Sequence, residues 1–129
     1  MTKDFDGWNA LKKRLNADGN FPPHWKEREI WWGCIGVNIG HEQDGKNAEY
    51  NRPVLVVKKF NRRLFWGVPL TTQVKDNSHY HRFAFKGREQ CAMLTQMRLF
   101  DASRITTKMG RMEEKEFRNI KLRLLSYLK

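Results

Sequence analysis

Apolar positions along the chain keep two different periods, and the change between them divides the sequence. Over residues 4–18, Phe5, Trp8, Leu11 and Leu15 recur at helical spacing while Lys12, Lys13 and Arg14 face outward, which predicts a short amphipathic helix. Gly19 supplies its stop, and Pro22 and Pro23 prevent continuation. From Glu29 onward the period shortens to two. Strands are predicted over 29–37, 53–60, 64–71, 79–86 and 90–97, with one more short strand over 103–109. The run from Pro53 to Phe60 is almost wholly apolar, as in a strand covered on both faces, and Asn61-Arg62-Arg63 turns it into the next strand as a hairpin. Over 113–128 the helical period returns, with Phe117, Ile120, Leu124 and Leu128 in one stripe. Glu113, Glu114 and Glu116 suit the positive end of that helix and Lys121, Arg123 and Lys129 its negative end, but no Ser, Thr, Asp or Asn caps its start. This many short strands in one small chain predict a compact barrel or strongly curved sheet.

Length and composition narrow the class. A chain of 129 residues makes one domain, and 40% hydrophobic with 12% aromatic content excludes a disordered tail. No apolar run reaches the roughly 18 residues of a membrane span, and the N-terminus lacks the apolar run of a signal peptide. Cys34 and Cys91 lie in apolar, strand-like stretches and are expected as buried free thiols, which makes the cytoplasm the expected compartment. The formal charge of +11 changes the picture more. It points to a polyanionic partner, most often nucleic acid and less often an acidic protein, with a merely solvated basic surface as the plain alternative.

Several chemistries are set aside by absence of their motifs: no GxSxG elbow, no GxxxxGK[ST] loop and no HExxH helix occur. His79 and His81 form an HxH pair on one strand face, but without a third ligand nearby they are expected to touch phosphate or solvent rather than a metal. No metal and no cofactor are expected. The informative segment is Gly40-His41-Glu42-Gln43-Asp44-Gly45-Lys46, followed by Asn51-Arg52-Pro53-Val54-Leu55-Val56. A polar, glycine-bounded loop here enters an apolar strand at an arginine, whose fixed fork of donors suits a phosphate that is gaining charge. Arg52 could equally cap the strand or pair with Glu42 or Glu49. At the end of the next strand, Val68-Pro69-Leu70-Thr71-Thr72-Gln73 places a hydroxyl able to donate to a phosphate oxygen. One hairpin separates Arg52 from Thr71, so both can point into one site.

Together with Glu29-Ile30-Trp31-Trp32, Gln96-Met97-Arg98 with Asp101, and Lys108-Met109-Gly110-Arg111, these segments resemble the MazF/PemK (Kid) family of toxin ribonucleases from type II toxin–antitoxin systems. The resemblance runs from about residue 29 to 128. It implies a mainly β fold with α elements: an SH3-like, strongly twisted β-barrel of the MazF/CcdB kind, with a C-terminal helix. Residues 1–28 then form an extra N-terminal helical extension and 29–129 the toxin domain. It also implies a homodimer that cleaves single-stranded RNA at specific sequences without metal, as an mRNA interferase, and an acidic antitoxin that inhibits it. In the MazF branch an arginine and a threonine carry the chemistry, and they map onto Arg52 and Thr71. The loop's substrate-binding role maps onto His41 and Gln43, and His41 also matches the histidine that assists catalysis in the Kid branch. Glu42, Lys46, Thr72, Lys75, His79, His81 and Arg98 complete the expected RNA-binding set. Where the Kid branch uses an arginine and an aspartate before its Gln-x-Arg motif, this chain has Met93 and Thr95, which favours the MazF-style assignment. The loop before Arg52 is longer than usual, with Tyr50 and Asn51 where the family often has glycine.

On this reading the RNA's 2′-hydroxyl attacks the adjacent phosphate, Arg52 stabilises the charge that develops and Thr71 orients the phosphate. His41 is the candidate general base, because arginine with a pKa above about 12 is a poor one. Tyr50, Tyr80 and Phe83 are candidates to stack on splayed bases. Trp31 and Trp32 are adjacent and must face opposite sides of a strand, so one of them needs cover from a second subunit or from Trp8 of the first helix. The dimer is expected near Trp31, Trp32 and Gln96-Met97-Arg98. The alternatives are a non-catalytic RNA- or DNA-binding barrel and a gyrase-directed toxin, which shares the fold but not these motifs.

Overall fold

The computed structural model describes residues 3–18, 20–36, 38, 45 and 51–129. Its elements are α1 (Phe5–Asp18), β1 (Glu29–Cys34), β2 (Asn51–Lys59), β3 (Leu64–Thr71), β4 (Tyr80–Phe85), β5 (Arg88–Met93), β6 (Arg98–Asp101), β7 (Ile105–Arg111) and α2 (Glu114–Ser126). The strands make one antiparallel seven-stranded sheet in the order β4-β5-β3-β2-β1-β7, with β6 beside β3. The sheet is barrel-like but not closed, since β4 and β7 end its path.

β2 is the centre of this architecture because alternate side chains enter two cores. Val54 and Val56 pack with Trp25, Trp31, Ile35, Phe65 and Phe100. Leu55 and Val57 face the opposite core, with Ile30, Leu70, Leu94, Phe117 and Ile120. Burying each of these side chains contributes roughly 1.5–3 kcal/mol, which is why the run reads as continuously apolar.

β3 pairs with β2 along one edge and divides its other edge. Leu64 to Gly67 face β6, from Leu64 opposite Asp101 to Gly67 opposite Arg98, whereas Leu70 and Thr71 face Ala92 and Cys91 of β5. The strand expected over 90–97 is therefore two strands and a corner. β5 stops at Met93, a 3-10 turn covers Leu94–Gln96, and β6 starts at Arg98. Ala92 and Leu94 both enter the same core, so the period of two runs on while the backbone leaves the ladder. A similar turn at Ala102–Arg104, capped by Asp101 accepting from the Ser103 N–H at 2.9 Å, delays β7 to Ile105.

α2 begins after Glu113 without a side-chain cap, and tertiary contacts hold it instead. Phe117 and Ile120 are buried. Arg123 donates to the Tyr80 carbonyl at 2.9 Å and to His81 Nδ1 at 3.1 Å, while His81 Nε2 meets Glu116 at 2.5 Å. An arginine can only donate, so His81 is held as the Nε2–H tautomer.

At the start of β1, Glu29 is buried and accepts from Lys26 N–H (2.8 Å), Trp31 Nε1–H (3.0 Å) and Lys108 Nζ (2.8 Å). Burial alone would raise its pKa, but these donors outweigh it and hold the carboxyl below its ordinary value. At the other end of β1, Trp8 of α1 packs on Cys34 with Leu11 and Leu15 beside it. Gly36 sits under the same ring at φ +81°, and a Cβ there would lie 2.0 Å from it, so glycine is required by both backbone and space. Trp31 is buried in the β2 core and Trp32 half-buried on the other face. Trp31 is thus closed off from any subunit interface, and Trp8 covers Cys34 and Gly36. Cys34 and Cys91 are buried free thiols.

Candidate active site

The ladder from β1 to β3 brings the two central sequence candidates together. Arg52 lies opposite Gly33 of β1, and two residues on Val54 lies opposite Pro69 of β3, two residues before Thr71. Strand alternation across this pairing puts Arg52 and Thr71 on the same face, and both residues border a cleft of about 230 Å³ whose walls include Trp32, Asn51, Leu70, Thr72 and Gln90. Arg52 is half-buried and Thr71 nearly buried at 8% exposure. The Thr71 Oγ1 accepts from the Gln73 N–H at 3.2 Å, which fixes its rotamer and leaves its own hydrogen to donate. A shared face lets Arg52 and Thr71 offer a cationic fork and a hydroxyl donor to one oxyanion.

The other candidates separate. Thr72 lines the same cleft. Arg98 lines an adjacent one of about 520 Å³ with Ile35, Asn38, Pro69, Gln96 and Met97, its guanidinium 4.9 Å from the Phe100 ring centre. Lys75 and His79 are exposed on the β3–β4 connection, with Lys75 Nζ 5.2 Å over the Tyr80 ring. Both nitrogens of His81 are taken by Glu116 and Arg123, so that side chain ties β4 to α2. Phe83 is buried in the core and is not available to stack on a base, contrary to expectation. His41, Glu42, Gln43, Lys46 and Tyr50 lie outside the described residues. No cluster of three or more His, Cys, Asp or Glu with metal-holding geometry occurs among the described residues.

Three walls of the cleft escaped the sequence reading. From the sequence Trp32 reads as an interface residue, Asn51 as loop and Gln90 as an ordinary strand start. Gln90 is 6% exposed, and a polar residue buried at the head of Cys91-Ala92-Met93 was the signal that it faces something polar.

Residues 26–128 match the family described as PemK-like, MazF-like toxin of type II toxin-antitoxin system. A comparison with curated protein sequences gives no match. Among solved structures the chain is similar to MazF from Deinococcus radiodurans, with 19% identity and a TM-score of 0.66, covering 84% of this chain and 97% of that one. It is similar to a mycobacterial endoribonuclease in complex with its cognate antitoxin, at 11% identity and TM-score 0.64 over 81% and 95%. It also resembles the MazE–MazF complex of Deinococcus radiodurans, at 15% identity and TM-score 0.61 over 84% and 96%. α1 lies outside the residues that match the family.

Proposed function

The chain belongs to the PemK-like, MazF-like toxin family of type II toxin–antitoxin systems, and on that premise we propose that it is a cytoplasmic, metal-independent endoribonuclease that cleaves single-stranded RNA at specific sequences and is inhibited by an acidic antitoxin. The observation that carries the reading is the shared cleft of Arg52 and Thr71. In the proposed reaction the 2′-oxygen bonds to the adjacent phosphorus and the bond to the 5′-oxygen breaks, leaving a cyclic phosphate and a free 5′-hydroxyl. Arg52 neutralises the non-bridging oxygens as they gain charge, and Thr71 donates to one of them. His41 takes the proton from the 2′-hydroxyl, and the departing 5′-oxygen takes one from water. Trp32, half-buried at the wall, stacks on a splayed base, while Gln90 can read its edge through both a donor and an acceptor.

The antitoxin part of the proposal draws on the two solved complexes, each of which holds a related toxin with its antitoxin. A flexible acidic segment fits the +11 charge of this chain and would order as it binds. The proposed homodimer does not use Trp31. It uses Met97, with the exposed Trp66, Leu125 and Leu128, around an apolar groove of about 530 Å³ beside α2.

Incubating the chain with mixed RNA in excess EDTA tests the central claim, since defined fragments are expected. Arg52→Ala should lower the cleavage rate about a hundredfold to a thousandfold while the circular dichroism spectrum is kept. Activity within a few-fold of the parent would remove Arg52 from the mechanism. RNA binding without cleavage would instead favour the non-catalytic barrel.

A further inference from the structure

A second basic cleft lies between α1 and the turn that follows β6. It measures about 330 Å³ and is lined by Lys12, Asn16, Arg63, Asp101, Ser103 and Arg104. Its acid is already engaged: Asp101 accepts from Ser103 N–H at 2.9 Å and from the Ser103 hydroxyl, and it pairs with Arg63 at 3.4 Å. Arg104 is half-buried with Nη1 on the Cys34 carbonyl at 3.3 Å and its guanidinium 5.4 Å from the Trp8 ring, neither of which carries a full negative charge. Burial, and then the neighbouring Arg98 charge, lower its pKa from the ordinary arginine value despite the opposing pull of Asp101. That nearby carboxylate is shared with Arg63 and Ser103, so a cation drawn out of water here is costly unless a further anion completes it.

We propose that this cleft binds a backbone phosphate of the RNA strand whose scissile bond sits at Arg52, as a subsite built by α1; the proposal rests on the ribonuclease reading above. Arg104 and Lys12 would supply the donors, and the forked guanidinium suits a phosphate's paired oxygens. Position supports it. Arg104 holds the carbonyl of Cys34, Cys34 lies opposite Asn51 with its thiol 3.1 Å from the Asn51 Oδ1, and Asn51 is a wall of the Arg52 cleft. A strand leaving that cleft over the end of β1 therefore meets the second one. Because α1 lies outside the family match, the Lys12 and Asn16 side of this subsite adds to Arg63, Asp101, Ser103 and Arg104 of the matched domain.

The probe is a mixed-sequence single-stranded RNA, fully 2′-O-methylated so that it cannot be cleaved, titrated into the full chain labelled with nitrogen-15. The indole N–H resonance of Trp8, identified by its loss in Trp8→Phe, should shift on binding. Lys12→Glu should weaken affinity about five- to tenfold and remove about one unit from the log–log salt slope. Lys13→Glu makes the same charge change on the same helix away from the cleft and should cost about twofold. Equal losses for the two variants would overturn the proposal, as would RNA that binds without moving Trp8, or an acidic peptide that moves Trp8 when RNA does not. Cleavage of unmodified RNA is scored separately. A Trp8 shift without cleavage keeps the subsite and rejects the nuclease reading, and cleavage without the shift does the reverse.

Discussion

Arg52 and Thr71 border the same cleft with different chemistry, so their removal should not be equivalent. A neutral hydroxyl stabilises an oxyanion less than a charged fork does, and Thr71→Ala should cost about tenfold in kcat/KM, measured on a fixed RNA under the conditions that define the Arg52→Ala loss. Glu29 makes a separate, structural prediction. Its carboxylate is buried among three donors and its pKa is held down despite burial, by Lys108 first, then Trp31 and Lys26. A depressed folded-state pKa means stability that is present above the unfolded value of 4.5 and lost as pH falls through the lower folded value. Glu29→Gln should therefore cost about 1–3 kcal/mol at pH 7 by urea unfolding, and the gap between parent and variant should close in acid below pH 4.5. Arg52 and Thr71 were legible because each ends a strongly patterned strand beside a polar loop. Gln90 and Trp32 were not, since their place in the wall depends on β5 and β1 arriving beside β3 and β2 from distant parts of the chain.

At the scale of elements, α1 shows how much of the fold the periodicity carried and where it stopped. Of its predicted stripe, Trp8 is buried with Leu11 and Leu15 partly so, whereas Phe5 at the first turn is 49% exposed; what the stripe covers, Cys34 and the backbone of Gly36, left no pattern of its own. Gly36→Ala puts a methyl carbon 2.0 Å from the Trp8 ring at a positive φ, so the helix must leave its seat. Trypsin should then cut at Lys12, Lys13 or Arg14 at least tenfold faster than in the parent, while the 26–128 domain stays resistant. A parent-like digest would mean that α1 re-docks elsewhere. The corner at Leu94–Gln96 and the strand after it were invisible for a related reason: alternation records which side chains are buried and is blind to a backbone that turns between two of them. The clamp of His81, Glu116 and Arg123 was equally hidden, because an HxH pair reads as surface until α2 is laid across it.

For the whole molecule, charge and exposed apolar surface divide the roles. The strongly basic balance suits a long anion, while the exposed Trp66, Leu125 and Leu128 form the apolar patch that the proposed dimer would cover. Sedimentation at micromolar concentration should give twice the 15.4 kDa mass of the chain, and Leu125→Glu should shift the population toward the single chain. A parent that sediments as one chain would reject the dimer. The divided edge of β3 also bears on how such a protein can diversify. The ladder is handed from β6 to β5 around Val68 and Pro69, with the Arg98 cleft opening at Pro69 and the Arg52 cleft at Leu70. The framework on either side is set by buried pairs, but the link between the two halves is a short turn whose exposed Thr95 borders the Arg98 cleft. Variation at Thr95, unlike at the buried Leu94 of the same turn, could redraw the edge of that cleft without disturbing the core.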